Sequence, residues 1–108
     1  IRAVSILGRF LEHSRIFHFA NGGDDEHWIG SADLMHRNLD RRVESLVKII
    51  APEHKRILNR ALEGYLAETT SSWHMHQDGH WQREIRAASG ERLDDFQMKA
   101  IEWYRNRA

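Results

Sequence analysis

Hydrophobic positions change their spacing several times along the chain, and each change predicts an element. Ile6, Leu7, Phe10 and Leu11 fall at helical spacing behind Ser5, which suits an N-cap, so a short helix is expected over residues 5–12. Residues 15–20, Arg-Ile-Phe-His-Phe-Ala, are aromatic and β-branched instead. They stop at Asn21-Gly22-Gly23-Asp24, a turn signal because asparagine and glycine tolerate positive φ. Residues 27–31 then read as the returning strand of a β-hairpin, with Gly30-Ser31-Ala32-Asp33 where that strand leaves its sheet. Residues 34–40 are polar, a loop or one helical turn, and Leu46-Val47-Lys48-Ile49-Ile50 suits a strand buried on both faces.

Pro52 sits where the first turn of a helix tolerates a missing N–H, and Ile57, Leu58, Ala61, Leu62, Tyr65 and Leu66 make one apolar stripe behind it. If that stripe is core, Leu62→Ala should cost about 2–5 kcal/mol. Residues 73–83 carry Gln77-Asp78-Gly79 between aromatic residues and predict a second hairpin. A further helix is expected from about Glu91 to Arg105, with Leu93, Phe96, Ala100, Ile101 and Tyr104 on its inner face. The whole pattern predicts an α/β fold, with α+β as its alternative, in which short strands and hairpins pack with about three helices. No repeat or low-complexity stretch interrupts it.

Length and charge narrow the picture. At 108 residues, one domain spanning 1–108 is the expectation. Lysine plus arginine and aspartate plus glutamate stand at 16 each, so no global basic field draws nucleic acid or an anionic membrane, and any anion site must be local. The absence of cysteine excludes disulfides and thiolate metal sites and fits a reducing compartment. No apolar run approaches the roughly 20 residues needed to span a bilayer, and no secretory leader pattern is present, so a soluble protein without a transmembrane segment is expected. Ile1 opens inside an apolar pattern, which suggests a chain cut from a longer one.

Three groups of residues can carry chemistry. His13 stands two residues before Arg15 where the first helix should give way to a strand; an imidazole can act as nucleophile or general acid, and a guanidinium fork can hold phosphoryl oxygens. The alternative is that His13 merely caps that helix. Arg37, Asn38, Asp40, Arg41, Arg42 and Glu44 form a second group, either a phosphate-binding loop or a solvated surface whose charges pair with one another. His74, His76 and His80 cluster on the second hairpin, but no acidic or thiolate ligand stands at a regular spacing to complete a metal site. They read as polar facing residues, so no metal ligand is assigned in this chain. Trp28, Trp73, Trp81 and Trp103 read as core or interface residues more than as a platform for stacking bases.

Residues 5–44, with Phe-Leu-Glu-His-Ser-Arg at 10–15, Asn-Gly-Gly-Asp at 21–24, Ser-Ala-Asp at 31–33 and Arg-Asn-Leu-Asp-Arg-Arg-Val-Glu at 37–44, strongly resemble the C-terminal part of the large, histidine-phosphorylating polyphosphate kinases. Residues 45–108 resemble that family in layout. The resemblance implies a phospholipase D-like fold, in which two similar halves each give a histidine to one site. It also implies reversible transfer of the ATP terminal phosphate to polyphosphate through a phosphohistidine in the preceding domain. His13 matches the family's second essential histidine, lining the ATP site as general acid or electrostatic partner. Arg15, Arg37 and Arg42 are expected to bind phosphate through their N–H donors, by their neighbourhood in the motif. Further implications are Mg2+ held by residues upstream, ATP/ADP and polyphosphate as partners together with upstream domains of the same polypeptide, a homo-oligomer, and a cytoplasmic location with peripheral contact to the inner membrane. Two alternatives stand beside it: a phospholipase D-like phosphodiesterase or transferase half, disfavoured because Arg15 and Asp33 replace that superfamily's lysine and asparagine, and a non-enzymatic binding or oligomerisation module.

Overall fold

The computed structural model describes residues 1–31 and 43–107. The expected loop or helical turn at 34–40 and the residues Ala32, Asp33, Arg37, Asn38, Asp40, Arg41 and Arg42 lie outside the described residues. In chain order the elements are β1 (Val4–Ser5), β2 (Ile16–Phe19), a 3-10 turn (Asn21–Gly23), β3 (Glu26–Gly30), β4 (Leu46–Ile49), α1 (Pro52–Leu66), β5 (Ser72–Met75), β6 (Trp81–Glu84) and α2 (Phe96–Arg107). They fall into two units, one of residues 12–60 and one of residues 1–11 with 61–108, the boundary lying inside α1 after Arg60. Among the described residues no helix is long and apolar enough to cross a membrane.

The 12–60 unit is built on a three-stranded antiparallel sheet in the order β2-β3-β4. The β2–β3 hairpin forms where the turn signal predicts it. Asn21, Gly22 and Gly23 all take positive φ, at 47°, 66° and 101°, which explains why this tight reversal is written Asn-Gly-Gly. Gly23 N–H donates to Ala20 O at 3.0 Å, and Asn21 Nδ2 donates to Asp24 O at 3.1 Å. The register pairs Ile16 with Ile29, Phe17 with Trp28, His18 with His27 and Phe19 with Glu26. β4 is an edge strand, not one buried on both faces: Leu46 and Val47 remain half exposed, and Lys48 reaches across to Glu26 at 2.6 Å. An edge is the place where sheets put a lysine, because its charge discourages further pairing.

In the other unit a second antiparallel sheet runs β1-β5-β6. The β5–β6 hairpin turns at Gln77-Asp78-Gly79 as expected, with Gly79 N–H donating to His76 O at 2.9 Å and Gly79 at φ 88°. Two features correct the sequence expectations here. No helix occupies residues 5–12: Val4 and Ser5 pair with His74 and Trp73, and the following residues have no regular structure. The reason is Gln97, 6% exposed, whose Nε2 donates to Phe10 O at 2.8 Å while its Oε1 accepts from Phe10 N–H at 2.9 Å. Its amide occupies both main-chain groups that a helix would need at Phe10.

The last helix begins at Phe96 instead of Glu91 because the backbone before it is already engaged. Ala87 N–H donates to Glu91 O and Leu93 N–H to Ile85 O, both at 2.8 Å, while Asp94 exchanges main-chain bonds with Thr69 and Ser71. Asp95 then caps the helix, its Oδ1 accepting from Met98 N–H at 3.1 Å. Phe96 packs its ring on Tyr65 at 4.0 Å between centroids, and Tyr104, expected on the inner face, is exposed. α1 matches its expected span, but no side chain along it is fully buried. Two α-helices are thus described where about three were expected.

Candidate functional site

The register of the β2-β3-β4 sheet gathers three chain segments at the end away from the Asn-Gly-Gly turn. Gly30 N–H donates to Arg15 O at 3.3 Å, and Ser31 N–H donates to Ser45 O at 3.1 Å. The residues leading into β2, those leaving β3 and those entering β4 therefore lie side by side. Ser31 Oγ donates to Glu44 Oε2 at 2.5 Å and accepts from Ser45 N–H at 3.2 Å. That small network ties Ser31 to Glu44 and Ser45.

His13 stands exposed in the segment entering β2, and Arg15 Nη1 donates to its main-chain oxygen at 2.6 Å. The backbone bond from Gly30 fixes Arg15, and the side-chain bond turns its guanidinium back toward His13. Since no helix precedes His13, the cap role has nothing to act on. What stands at this end is an exposed imidazole able to move a proton beside an anchored guanidinium, the side-chain type whose fork of N–H groups suits phosphate. Arg37 and Arg42 lie outside the described residues.

A second group escaped the sequence reasoning. His18 and His27 face each other across β2 and β3, with ring centroids 4.6 Å apart, and Asp25 precedes His27 by two positions, hence shares its face. Asp25 Oδ2 lies 3.2 Å from His18 Nε2, and this hydrogen bond holds the Asp25 carboxyl below its usual value of 3.8. His27 is fully buried; its Nε2 lies 2.6 Å from Asn59 Oδ1, while its Nδ1 has no partner. A buried polar atom left so costs about 1–3 kcal/mol. The signal was available, since both histidines are equidistant from the Gly22-Gly23 turn, but only the register makes them neighbours.

On the second hairpin the His76 and His80 rings stack at 4.3 Å between centroids, but the three histidines turn their ring nitrogens to separate partners. His74 Nε2 meets Ser72 Oγ at 2.8 Å, His76 Nε2 meets Gln82 Oε1 at 3.0 Å, and His80 Nδ1 meets Asp78 Oδ1 at 2.5 Å. Among the described residues, the one group of three histidine or acidic side chains with converging ligand atoms is His18, Asp25 and His27. Two imidazoles and one carboxylate do not suit magnesium, which takes oxygen ligands.

A family profile described as polyphosphate kinase C-terminal domain 2 matches residues 1–94. The chain belongs to the polyphosphate kinase family. This polyphosphate kinase domain is 52% identical over 107 residues to a polyphosphate kinase of Streptomyces coelicolor, covering 99% of the chain and 14% of that protein. It is 53% identical over 99 residues to a polyphosphate kinase of Prochlorococcus marinus, covering 91% of the chain and again 14% of the relative. The chain thus spans about one seventh of the length of these relatives. The crystal structure of polyphosphate kinase from Porphyromonas gingivalis matches 98% of the chain and 16% of its own, with a TM-score of 0.84 at 26% identity. The mixed α/β domain is consistent with the phospholipase D-like half expected from sequence, and its wholly antiparallel sheets fall on the α+β side of that expectation.

Proposed function

We propose that this domain supplies one side of a polyphosphate kinase active site, in which the terminal phosphate of ATP moves reversibly to polyphosphate through a phosphohistidine in the preceding domain. In the first step that histidine's nitrogen attacks the γ-phosphorus, the bond to the ADP oxygen breaks, and ADP leaves. In the second step a terminal oxygen of polyphosphate attacks the same phosphorus, and the imidazole leaves. His13 lines the ATP site as general acid or electrostatic partner of this exchange. Arg15, with Arg37 and Arg42, binds the equatorial phosphoryl oxygens, where charge stabilisation carries most of the catalysis of such transfers. Mg2+ would neutralise phosphate charge from ligands outside this chain. A cytoplasmic homo-oligomer is the setting we expect.

The observation that carries this proposal is the exposed His13 beside Arg15 at the sheet end where Ser31 is bonded to Glu44 and Ser45. The test is His13→Ala and His13→Gln in the full-length enzyme. Loss of a proton-transfer partner should lower turnover at least about 100-fold in both variants while the unfolding curve stays nearly unchanged. Glutamine can donate a hydrogen bond but cannot exchange a proton near neutral pH. Full polyphosphate synthesis by His13→Gln would therefore reduce His13 to a hydrogen-bonding contact.

A further inference from the structure

We infer that His18, Asp25 and His27 form a binding site for a divalent first-row transition ion, Zn2+ by donor chemistry, which ties the β2–β3 hairpin together beside α1. Each of the three offers one ligand atom, and these atoms all lie within 4.8 Å of one another. Bonds of about 2.0–2.1 Å would draw such atoms to roughly 3.3 Å apart in a tetrahedral site. That contraction is within reach of His18 and Asp25, whose side chains are 37% and 45% exposed and can change rotamer, while His27 stays fixed.

The buried, unpartnered Nδ1 of His27 is the independent observation. Asn59 Oδ1 accepts from His27 Nε2–H at 2.6 Å, so Nδ1 is the ring nitrogen left without a partner. A neutral imidazole oriented by an oxygen acceptor on its far nitrogen is the state in which histidine ligates metals. Here Nδ1 is buried and has no hydrogen-bond partner. A protein using His27 only for packing would leave it unmet to no purpose, whereas a cation accounts for it, for the facing His18 and for the adjacent carboxylate at once. Two nitrogen ligands and one oxygen select zinc and its neighbours over magnesium or calcium. Lys55 approaches the main-chain oxygen of Asp25 at 3.3 Å. A water completes the coordination on the exposed side. The site belongs to the hairpin end remote from His13, so its role is to brace the strand pair, not to take part in phosphate transfer.

The test uses Co2+ as a spectroscopic probe and Zn2+ as the competing ion, with the full-length protein. The protein should gain one equivalent of tetrahedral Co2+ absorption, bleached by Zn2+, over the His18→Ala and Asp25→Asn variants. Each substitution should weaken Co2+ binding at least about tenfold, and Zn2+ should raise the melting temperature of the unsubstituted protein but not of the variants. The double variant His76→Ala/His80→Ala should bind as tightly as the unsubstituted protein. Equal Co2+ spectra and affinities in the unsubstituted protein and both ligand variants would overturn the proposal, as would loss of the signal in the hairpin-histidine control alone. His18→Ala and Asp25→Asn change exposed side chains, so folding is preserved and the comparison stays interpretable.

Discussion

Replacing Gln97 by leucine removes two hydrogen bonds from one buried side chain while nearly keeping its volume. Both partners are main-chain groups of Phe10, at 2.9 Å and 2.8 Å, and an ordinary internal hydrogen bond contributes about 1 kcal/mol net. Both bonds are only partly buried, so the full desolvation penalty of a deeply buried pair does not apply. The expected loss is therefore about 1–2 kcal/mol, read as a shift in the urea midpoint followed by tryptophan fluorescence. Gln97→Glu tests the donor separately. A carboxylate can accept from Phe10 N–H but faces Phe10 O with no proton, so burial and that oxygen raise its folded pKa above the unfolded value of about 4.3. The folded variant then binds more protons than the unfolded one, and its deficit at pH 7 should shrink as the pH falls toward 4, a slope of opposite sign to ordinary acid denaturation. If Gln97→Leu loses less than about 0.5 kcal/mol and the Phe10 amide exchanges as before, the Gln97 clamp is not what holds residues 6–11 away from a helix.

Other predictions follow from the same geometry. A Cβ on Gly8 would collide with the Gln97 side chain, so Gly8→Ala should destabilise by about 1–3 kcal/mol, and the loss should shrink in a Gln97→Ala background. Leu62 is only half buried, so Leu62→Ala should lose about 1–3 kcal/mol in a denaturant titration, the lower part of the range for large-to-small changes. The carboxyls of Asp25, Glu26 and Asp78 are held below their usual values by His18, Lys48 and the main-chain N–H of His80 respectively. The unfolded state therefore binds more protons than the folded one in acid, and stability present above about pH 5 should drain away below it; the triple amide variant should show a flatter acid limb in urea midpoints. The 108-residue chain alone should form no phosphohistidine on incubation with labelled ATP, and base-stable, acid-labile label on it would contradict a nucleophile in the preceding domain.

What sequence reasoning captured was local. The Asn-Gly-Gly turn, Pro52 with its stripe, and Gln77-Asp78-Gly79 each predict an element from a handful of adjacent residues, and each element is there. What it missed depended on distant partners. Helical spacing at Ile6 to Leu11 was overruled by Gln97, 87 residues from Phe10. The start of α2 was delayed by pairings of Asp94 with Thr69 and Ser71, and the half exposure of β4 follows from its edge position, which composition alone does not reveal. The candidate site divides the same way. His13 and Arg15 stand out as a motif, whereas the meeting of His18 with His27 depends on strand register, and the burial of His27 on Asn59 arriving from a helix.

The Asn-Gly-Gly reversal has a stereochemical consequence. A side chain built on Gly22 would touch nothing within 4 Å, so crowding is not what reserves the position for glycine. Its dihedrals, φ 66° and ψ 25°, are the mirror image of those of a right-handed helical residue. An L-alanine there should cost about 1–2 kcal/mol from backbone conformation alone, whereas a D-alanine, introduced by semisynthesis, would sit in its own preferred basin. By narrowing the freedom of the unfolded chain it should stabilise the hairpin by about 0.4–1 kcal/mol. The handedness of one α-carbon, with no change in any contact, would then decide the sign of the effect.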